Sequence, residues 1–189
     1  YSSDADHKEA YEHWGRIKGR KYTVGSETIV CPTFGENLRY FFRYQIGFMY
    51  LRYFMWNFAG RQNDIQGNGN SINGNWISGI KLIDEARLGR LKELPPDLAT
   101  NPGYNKYFFL PLIIGLAGLF WQYKKNNTGF WLVMAFFLMT GLAIIFYLNQ
   151  YPNQPRERDY AYAGSFYAFA VWIGMGFMFV YEKLQKSIG

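Results

Sequence analysis

The sequence predicts an all-α integral membrane protein, in which three transmembrane helices follow an interfacial or extracytoplasmic region of helices and loops. Three observations predict this class. First, three long runs without a charged residue lie in residues 107–189. Second, aromatic residues make up 21% of the 189-residue chain, and Tyr and Trp are enriched where a bilayer meets water. Third, residues 1–106 hold 14 of the 20 Lys and Arg residues, so the mean hydropathy of -0.19 averages a polar half and an apolar half.

The polar half, residues 1–106, is predicted to form the interfacial or extracytoplasmic region. Short helices are expected at Asp4–Trp14 and Ile80–Leu91. The Gly/Asn-rich stretch Gly60–Gly79 has the composition of a loop, because Gly and Asn supply turns and interrupt helices. The spacing of acidic residues in a Ca²⁺-binding loop is missing there, so no metal site is predicted in this stretch.

The aromatic segment Glu36–Phe58 is the unusual part of this region, since ten of its 23 residues are aromatic. At 100° per residue Arg39 and Arg43 share a helical face, whereas Arg52 lies on the side opposite Arg43. A spanning helix would bury Arg52 near the membrane centre, which costs about 3 kcal/mol or more. The segment is therefore predicted to lie at the interface, with its Arg side chains reaching phosphates or water. A helix packed against the outer face of the bundle explains the same pattern.

The three uncharged runs predict the spans at Tyr107–Tyr123, Thr128–Tyr147 and Ala161–Tyr181. Twenty helical residues extend about 30 Å, the thickness of the hydrocarbon core. Buried helices of a soluble protein are the alternative, and the Tyr and Trp residues near the ends of each run disfavour it. Small residues three or four apart let helices approach closely in lipid. Such pairs are Gly115 and Gly118, Gly164 and Ala168, and Ala170 and Gly174.

Short loops set the predicted orientation, because Lys and Arg accumulate on the cytoplasmic side of a membrane. Lys124 and Lys125 separate the first two spans, Lys183 and Lys186 follow the third, and the loop between the second and third carries two Arg. The Lys-Lys turn and the C-terminus are predicted to be cytoplasmic, and residues 1–106 to be outside. The net charge of +6 is scattered or lies beside apolar runs, so membrane lipids are expected as partners and nucleic acid is not.

Candidate chemistry lies in four successive charged residues before the third span, Arg156, Glu157, Arg158 and Asp159. The two Arg side chains could clamp a diphosphate, since a guanidinium offers a fork that matches two phosphate oxygens. Glu157 or Asp159 could hold a divalent cation or accept a proton from an attacking hydroxyl. A solvated loop with compensating charges explains the same run, with Asp159 near the positive end of the following helix.

Three segments of the sequence resemble a large multipass membrane family that is common in Bacteroidota and was long of unassigned function. They are Pro32–Arg39 (PTFGENLR), Arg52–Asp64 (RYFMWNFAGRQND) and Arg156–Tyr167 (RERDYAYAGSFY). The family is related to the protein O-mannosyltransferases of the GT-C glycosyltransferase superfamily. The resemblance implies an enzyme of the bacterial inner membrane that transfers a sugar from a polyprenyl-phosphate donor to a protein acceptor on the outer face.

The resemblance also implies that the catalytic residue is outside this chain. In GT-C enzymes the catalytic carboxylate usually lies in an outer loop after the first transmembrane helix. No such helix precedes the polar half, and the chain begins with Tyr1, so it is expected to be an internal piece that is inactive alone. The Arg-Glu-Arg-Asp run would then bind the donor. A non-catalytic membrane scaffold or a transporter subunit is the alternative, and the absence of ionisable residues inside the spans disfavours transport.

Overall fold

A computed structural model describes residues 5–89, 100–153 and 156–188, and this part of the chain is mostly helical, as predicted. The described residues of its polar half form three α-helices before the loop region, one hairpin, one further short helix and a second, two-residue strand pair. They are α1 (Ala5–Gly15), β1 (Arg20–Val24), β2 (Glu27–Cys31), α2 (Phe34–Tyr40), α3 (Arg52–Phe58), β3 (Gly60–Arg61), α4 (Lys81–Leu88) and β4 (Asn105–Lys106). A π-helical segment, Phe41–Leu51, joins α2 to α3 without a break.

The apolar half consists of three helical passages, of which the first and the third lie side by side and run in the same direction. They are α5 (Leu110–Lys125), α6 and α7 (Asn127–Thr140 and Leu142–Leu148), and α8 (Ala163–Ile188), which follows a 3-10 turn at Asp159–Tyr162. The helix predicted at Asp4–Trp14 corresponds to α1, and the helix predicted at Ile80–Leu91 corresponds to α4, although residues 90–99 lie outside the described part.

The hairpin of β1 and β2 was not predicted. Val24 pairs with Glu27, so the loop contains only Gly25 and Ser26, and Gly25 adopts a left-handed φ of 66°. A Gly-Ser pair between two runs rich in β-branched residues is a recognised hairpin signal. The sequence therefore contained a local signal for this hairpin, and the signal was missed because the stretch is rich in polar residues.

A capping box starts the long aromatic helix. The Thr33 side chain accepts a hydrogen bond from the Glu36 amide, and the Glu36 carboxylate accepts one from the Thr33 amide at 2.7 Å. The same carboxylate accepts bonds from the amides of Lys18 (2.8 Å) and Gly19 (3.2 Å). One side chain thus joins the start of α2 to the segment that leads into the hairpin.

The aromatic helix packs against the apolar half, which is the packed alternative considered for this segment. One buried cluster joins its tyrosines to the second and third passages, and its members are Tyr40, Tyr44, Met49, Tyr50, Tyr53, Trp56, Ile145 and Tyr162. In a second cluster the Phe54 and Phe58 rings lie 4.9 and 4.6 Å from the ring of Phe169 in α8. Arg39 and Arg43 do share a face, and they donate to the carbonyls of Gly15 and Trp14 at the C-terminal end of α1.

Two helices in the described residues are long and apolar enough to cross a membrane, Asn127–Leu148 and Asp159–Ser187, with mean hydropathies of 2.3 and 1.6. Only 11% and 28% of their most apolar stretches are buried, so large apolar side chains face outward, unlike those of a core helix in a soluble protein. This pattern is compatible with a membrane protein. The predicted first span, 107–123, corresponds to the shorter 16-residue α5. It begins at Leu110 because Phe108 and Phe109 adopt left-handed φ values of 52° and 58°.

The predicted second span is interrupted at Gly141, which separates α6 from α7. A Cβ atom at this position would lie 2.6 Å from the Tyr50 hydroxyl oxygen, closer than real contacts allow. The same hydroxyl donates to Ser165 Oγ in α8 at 3.2 Å. The aromatic helix therefore reaches both the second and the third passage at the level of this break.

Glycines bring α5 and α8 into close contact, as predicted for Gly115 and Gly118. A Cβ atom on Gly118 would lie 1.9 Å from the Trp172 carbonyl oxygen, and one on Gly176 would lie 2.0 Å from the Ile114 carbonyl oxygen. Ala170 and Gly174 meet no helix among the described residues, since Ala170 is exposed and Gly174 has open space around it, so close helix packing at this pair stays a prediction. Gly176, two residues further along α8, faces α5 instead.

Candidate functional site

The candidate site lies where the aromatic helix meets the charged run before α8. Arg52 and Glu157 form an ion pair at 2.8 Å, and their side chains are only 5% and 20% exposed. The pair is two-pronged, because Arg52 Nη1 also donates to the second carboxylate oxygen at 3.3 Å. Two segments that are 105 residues apart in sequence are thereby joined at one point.

Arg52 is almost completely buried, and its side chain is held by several groups of the fold. Its Nε donates to the Phe48 carbonyl at 3.1 Å and its Nη1 to the Gly74 carbonyl at 2.7 Å. Its guanidinium carbon lies 4.1, 4.4 and 4.7 Å from the ring centres of Phe48, Tyr53 and Trp56. The prediction that Arg52 reaches phosphates or water is therefore wrong. A buried guanidinium needs an anionic partner, and Glu157 provides it.

Glu157 is saturated with donors from this chain. One carboxylate oxygen accepts from Arg52 and from the Gly67 amide (2.9 Å), and the other accepts from Arg52 and from the Tyr53 hydroxyl. Burial raises the pKa of Tyr53 above its usual value, so this hydroxyl stays protonated and remains a donor. With its lone pairs engaged in this way, Glu157 positions the surrounding loops, and a role as metal ligand or general base would require these bonds to break.

A cavity of about 320 Å³ opens beside this ion pair. Its walls combine the aromatic side chains of Trp14, Tyr44 and Phe48 with the polar side chains of Asn68 and Arg156. Arg156 is exposed, and among the described residues no carboxylate lies within ion-pair distance of it. Its guanidinium is thus available to a ligand in the cavity, which is at the lower end of the size range of small-molecule sites.

Asp159 lies in a different cavity of about 210 Å³, whose lining includes Trp56, Asn57, Arg61 and Asn105. The short pairing of β3 with β4 holds Arg61 opposite Asn105. Trp56 is 6% exposed, and its indole N–H has no hydrogen-bond partner in the described structure. The second cavity is therefore polar, and one of its lining residues has a buried donor without a partner.

Arg158 lines neither of these two cavities. Its Nε is buried without a hydrogen-bond partner, and its backbone amide donates to the Tyr53 hydroxyl at 3.4 Å. The structure thus brings Arg156 and Glu157 to one cavity and Asp159 to another. Arg158, which separates Glu157 from Asp159 in the sequence, lines neither. Whether these four side chains bind a substrate stays a prediction.

Arg52 and Tyr53 are the site residues that sequence reasoning missed. The sequence feature that could have identified them is the segment Arg52–Asp64, which resembles the multipass family. It begins with an Arg that has no acidic residue close to it in the aromatic helix. Among the described residues, no group of three His, Cys, Asp or Glu side chains is placed to share a metal ion.

The segments Arg52–Asp64 and Arg156–Tyr167, which carry much of the family resemblance, meet at the Arg52–Glu157 pair. The third segment, Pro32–Arg39, contains the capping box that starts the same helix. Comparison with protein-family models, curated proteins and solved structures finds no match for the chain.

Proposed function

We propose that the chain is part of a membrane glycosyltransferase that transfers a sugar from a polyprenyl-phosphate donor to protein acceptors on the outer face of the bacterial inner membrane. The resemblance of three segments supports the class of enzyme. The single observation that carries the proposal is Arg156, an exposed guanidinium with no carboxylate within ion-pair distance among the described residues. It lines an aromatic and polar cavity, three residues before the 3-10 turn that leads into the long apolar helix α8.

The proposal treats α5, the α6–α7 passage and α8 as three membrane spans. The shortest, α5, extends about 24 Å and has exposed apolar side chains along its length, including Leu110, Ile113, Leu116 and Phe120. Lipid or further helices of a longer protein would cover this surface. Residues 1–106 are assigned to the periplasmic side, because the lysines of the apolar half gather at the opposite end of α8.

Donor binding is assigned to the first cavity. A phosphate monoester or diester presents oxygens that a guanidinium can contact in pairs, and the head of a polyprenyl phosphate would lie at the membrane surface near the start of α8. The Arg52–Glu157 pair fixes the backbone next to Arg156 and so reduces the disorder of that side chain. The rings of Trp14 and Phe48, with centres 4.9 Å apart, provide an apolar wall for the sugar.

The test measures the affinity of a short-chain polyprenyl phosphate for the longer protein that contains this chain, purified in detergent. Charge-assisted hydrogen bonds contribute roughly 1.5–3 kcal/mol each, so Arg156→Ala should weaken binding by about tenfold or more. Arg156→Lys keeps the charge but loses the fork and should fall between the wild type and Arg156→Ala. Arg20→Ala, in the exposed strand β1, removes the same charge at a residue that does not line the cavity and should leave affinity unchanged.

Arg158→Ala and Asp159→Asn are measured in the same assay. A loss of affinity in these variants at normal folded yield would add Arg158 and Asp159 to the donor site, whereas a lower yield with unchanged affinity would indicate a structural role. Unchanged donor affinity in both Arg156→Ala and Arg158→Ala would contradict the proposal and favour a non-catalytic membrane scaffold.

A further inference from the structure

Four lysines surround a third cavity, which lies near the C-terminal end of α8, whereas Arg156 precedes the start of that helix. It has a volume of about 480 Å³ and lies between the C-terminal ends of α5 and α8. The two ends are in contact, because the Lys125 ammonium lies 3.4 Å from the Glu182 carboxylate and the Trp121 indole N–H donates to the same carboxylate at 3.2 Å. This cavity is separate from the proposed donor site.

The rim of the cavity carries an excess of positive charge. Lys124, Lys125, Lys183 and Lys186 line it together with a single carboxylate, that of Glu182. In the described part of the chain only Lys125 pairs with this carboxylate, and the other three lysines have no carboxylate within ion-pair distance. Three ammonium groups around one opening therefore repel each other unless an anion is bound.

The wall of the cavity is apolar. It is formed by Ala117, Phe120 and Phe179, and Phe120 is 63% exposed. A soluble anion would not need such a wall, and an apolar ligand would not need four ammonium groups. A ligand that matches both has an anionic headgroup and a hydrocarbon chain, and basic pockets between membrane helices commonly bind such lipids.

We propose that this cavity binds an anionic phospholipid of the bilayer, with the phosphate among the lysines and an acyl chain along Phe120 and Phe179. The inference rests on the membrane placement of α5 and α8 but not on sugar transfer, and it goes beyond the proposed function. Lysines that only set the orientation of the protein would attract anionic lipids diffusely, so replacing lysines elsewhere on the protein would weaken the preference as much as replacing those at the cavity.

Quenching of Trp121 fluorescence tests the proposal, because Trp121 lines the cavity. The protein is reconstituted in mixed vesicles of phosphatidylglycerol and phosphatidylcholine, with bromine atoms on the acyl chains of one lipid or the other. The Trp121→Phe variant isolates the signal of Trp121 from that of the other five Trp residues. Each lysine near an anionic headgroup changes affinity about fivefold. Brominated phosphatidylglycerol should therefore quench Trp121 at a mole fraction at least about fivefold lower than brominated phosphatidylcholine does.

Charge variants separate a specific site from general attraction. Lys183→Gln combined with Lys186→Gln should weaken the preference by up to about 25-fold, at about fivefold for each lysine removed. Lys183→Arg combined with Lys186→Arg should retain it. Lys18→Gln combined with Lys21→Gln removes the same charge at the hairpin end and should also retain it. Equal quenching by the two lipids, or an equal loss of preference in the hairpin control, would overturn the proposal. Abolition of the preference by millimolar inorganic phosphate would overturn it as well, since the cavity would then be a phosphate site.

Discussion

Glu157 shows how one carboxylate can fix the geometry of several segments. It joins the aromatic helix through Arg52 and Tyr53, the Gly/Asn-rich loop through Gly67, and the run before α8 through its own backbone. Taking such a pair out of water is costly, and the cost is offset here because every charged atom has a partner. Removing one member leaves the other charge buried and unpaired.

Glu157→Ala should therefore lower the free energy of unfolding by about 3–5 kcal/mol, because it leaves Arg52, which is only 4% exposed, without its anionic partner. The measurement is chemical denaturation of the detergent-solubilised protein. Glu85→Ala is the matched control, since Glu85 pairs with Lys81 at 3.9 Å on an exposed helix and should change stability by about 0.5 kcal/mol or less. Equal effects of the two substitutions would contradict a central role for the Arg52–Glu157 pair.

The Glu36 carboxylate should make the free energy of unfolding depend on pH under acidic conditions. Three backbone amides, those of Thr33, Lys18 and Gly19, hold the pKa of Glu36 at about 2. Because this value lies below that of an unfolded Glu, about 4.3, the carboxylate stabilises the fold above pH ~4.3. This contribution is lost as the pH falls through 4.3 towards 2.

The Glu36→Gln variant measures this contribution. The difference in stability between the wild type and Glu36→Gln should be constant above pH ~5 and should shrink towards pH 2. Unfolding followed by circular dichroism at several pH values gives both curves. A difference that does not vary with pH would show that the amides do not act on the charge of Glu36.

At the scale of elements, the contact of α5 with α8 depends on glycines that permit direct backbone approach. Apolar side chains alone provide little drive for association in lipid, so close packing and interhelical hydrogen bonds contribute more than they do in water. The Trp172 indole N–H donates to Gln122 Oε1 at 2.7 Å across the same interface, which satisfies two buried polar groups at once. Gly118 and Gly176 let this hydrogen bond form.

Gly118→Ala should separate α5 from α8 or destabilise the protein, since the new Cβ atom would lie 1.9 Å from a backbone carbonyl oxygen that cannot move independently. Gly174→Ala is the matched control on α8, because nothing lies within 4 Å of its Cβ position. That substitution should be neutral or slightly stabilising, as Ala favours helix over Gly by about 1 kcal/mol. Thermal unfolding in detergent compares the two, and similar losses of stability would argue against the observed glycine contact.

At the scale of the whole molecule, the charges divide α8 into two different ends. The Arg156–Asp159 run and the polar half lie at its start, and the four lysines lie at its end, about 39 Å away for a 26-residue helix. If α8 spans the membrane, the two ends lie on opposite sides. The excess of lysine then predicts that the C-terminal end of α8 is on the cytoplasmic side.

Cysteine labelling tests this orientation. The only cysteine, Cys31, is exposed in β2 and should react with an impermeant thiol reagent added to the periplasmic side. In a Cys31→Ser background, Asn127→Cys replaces an exposed residue beside the Lys-Lys turn, and it should react only after the inner membrane is permeabilised. Labelling of position 127 from the periplasm would show that the orientation is inverted.

Patterns that act over a few residues were readable from the sequence. The uncharged runs predicted the helices of the apolar half, and Gly115 and Gly118 predicted a close helix contact, because hydrophobic transfer and small-residue packing depend on local composition. The capping residues Thr33 and Glu36 are three positions apart, so their geometry is set by one helical turn. The hairpin at Gly25 carried an equally local signal.

The environment of Arg52 was decided only by the tertiary structure. From sequence its charge excluded a mid-membrane position, and water or phosphate was the expected partner. The actual partner, Glu157, is 105 residues away, and no local pattern reports which segment will cover a side chain. The sequence by itself determined which segments are apolar helices, because that depends on neighbouring residues. The fold alone decided that Arg52 is enclosed, that Arg156 faces a cavity, and that Gly176 rather than Gly174 meets α5, because these depend on how distant segments pack.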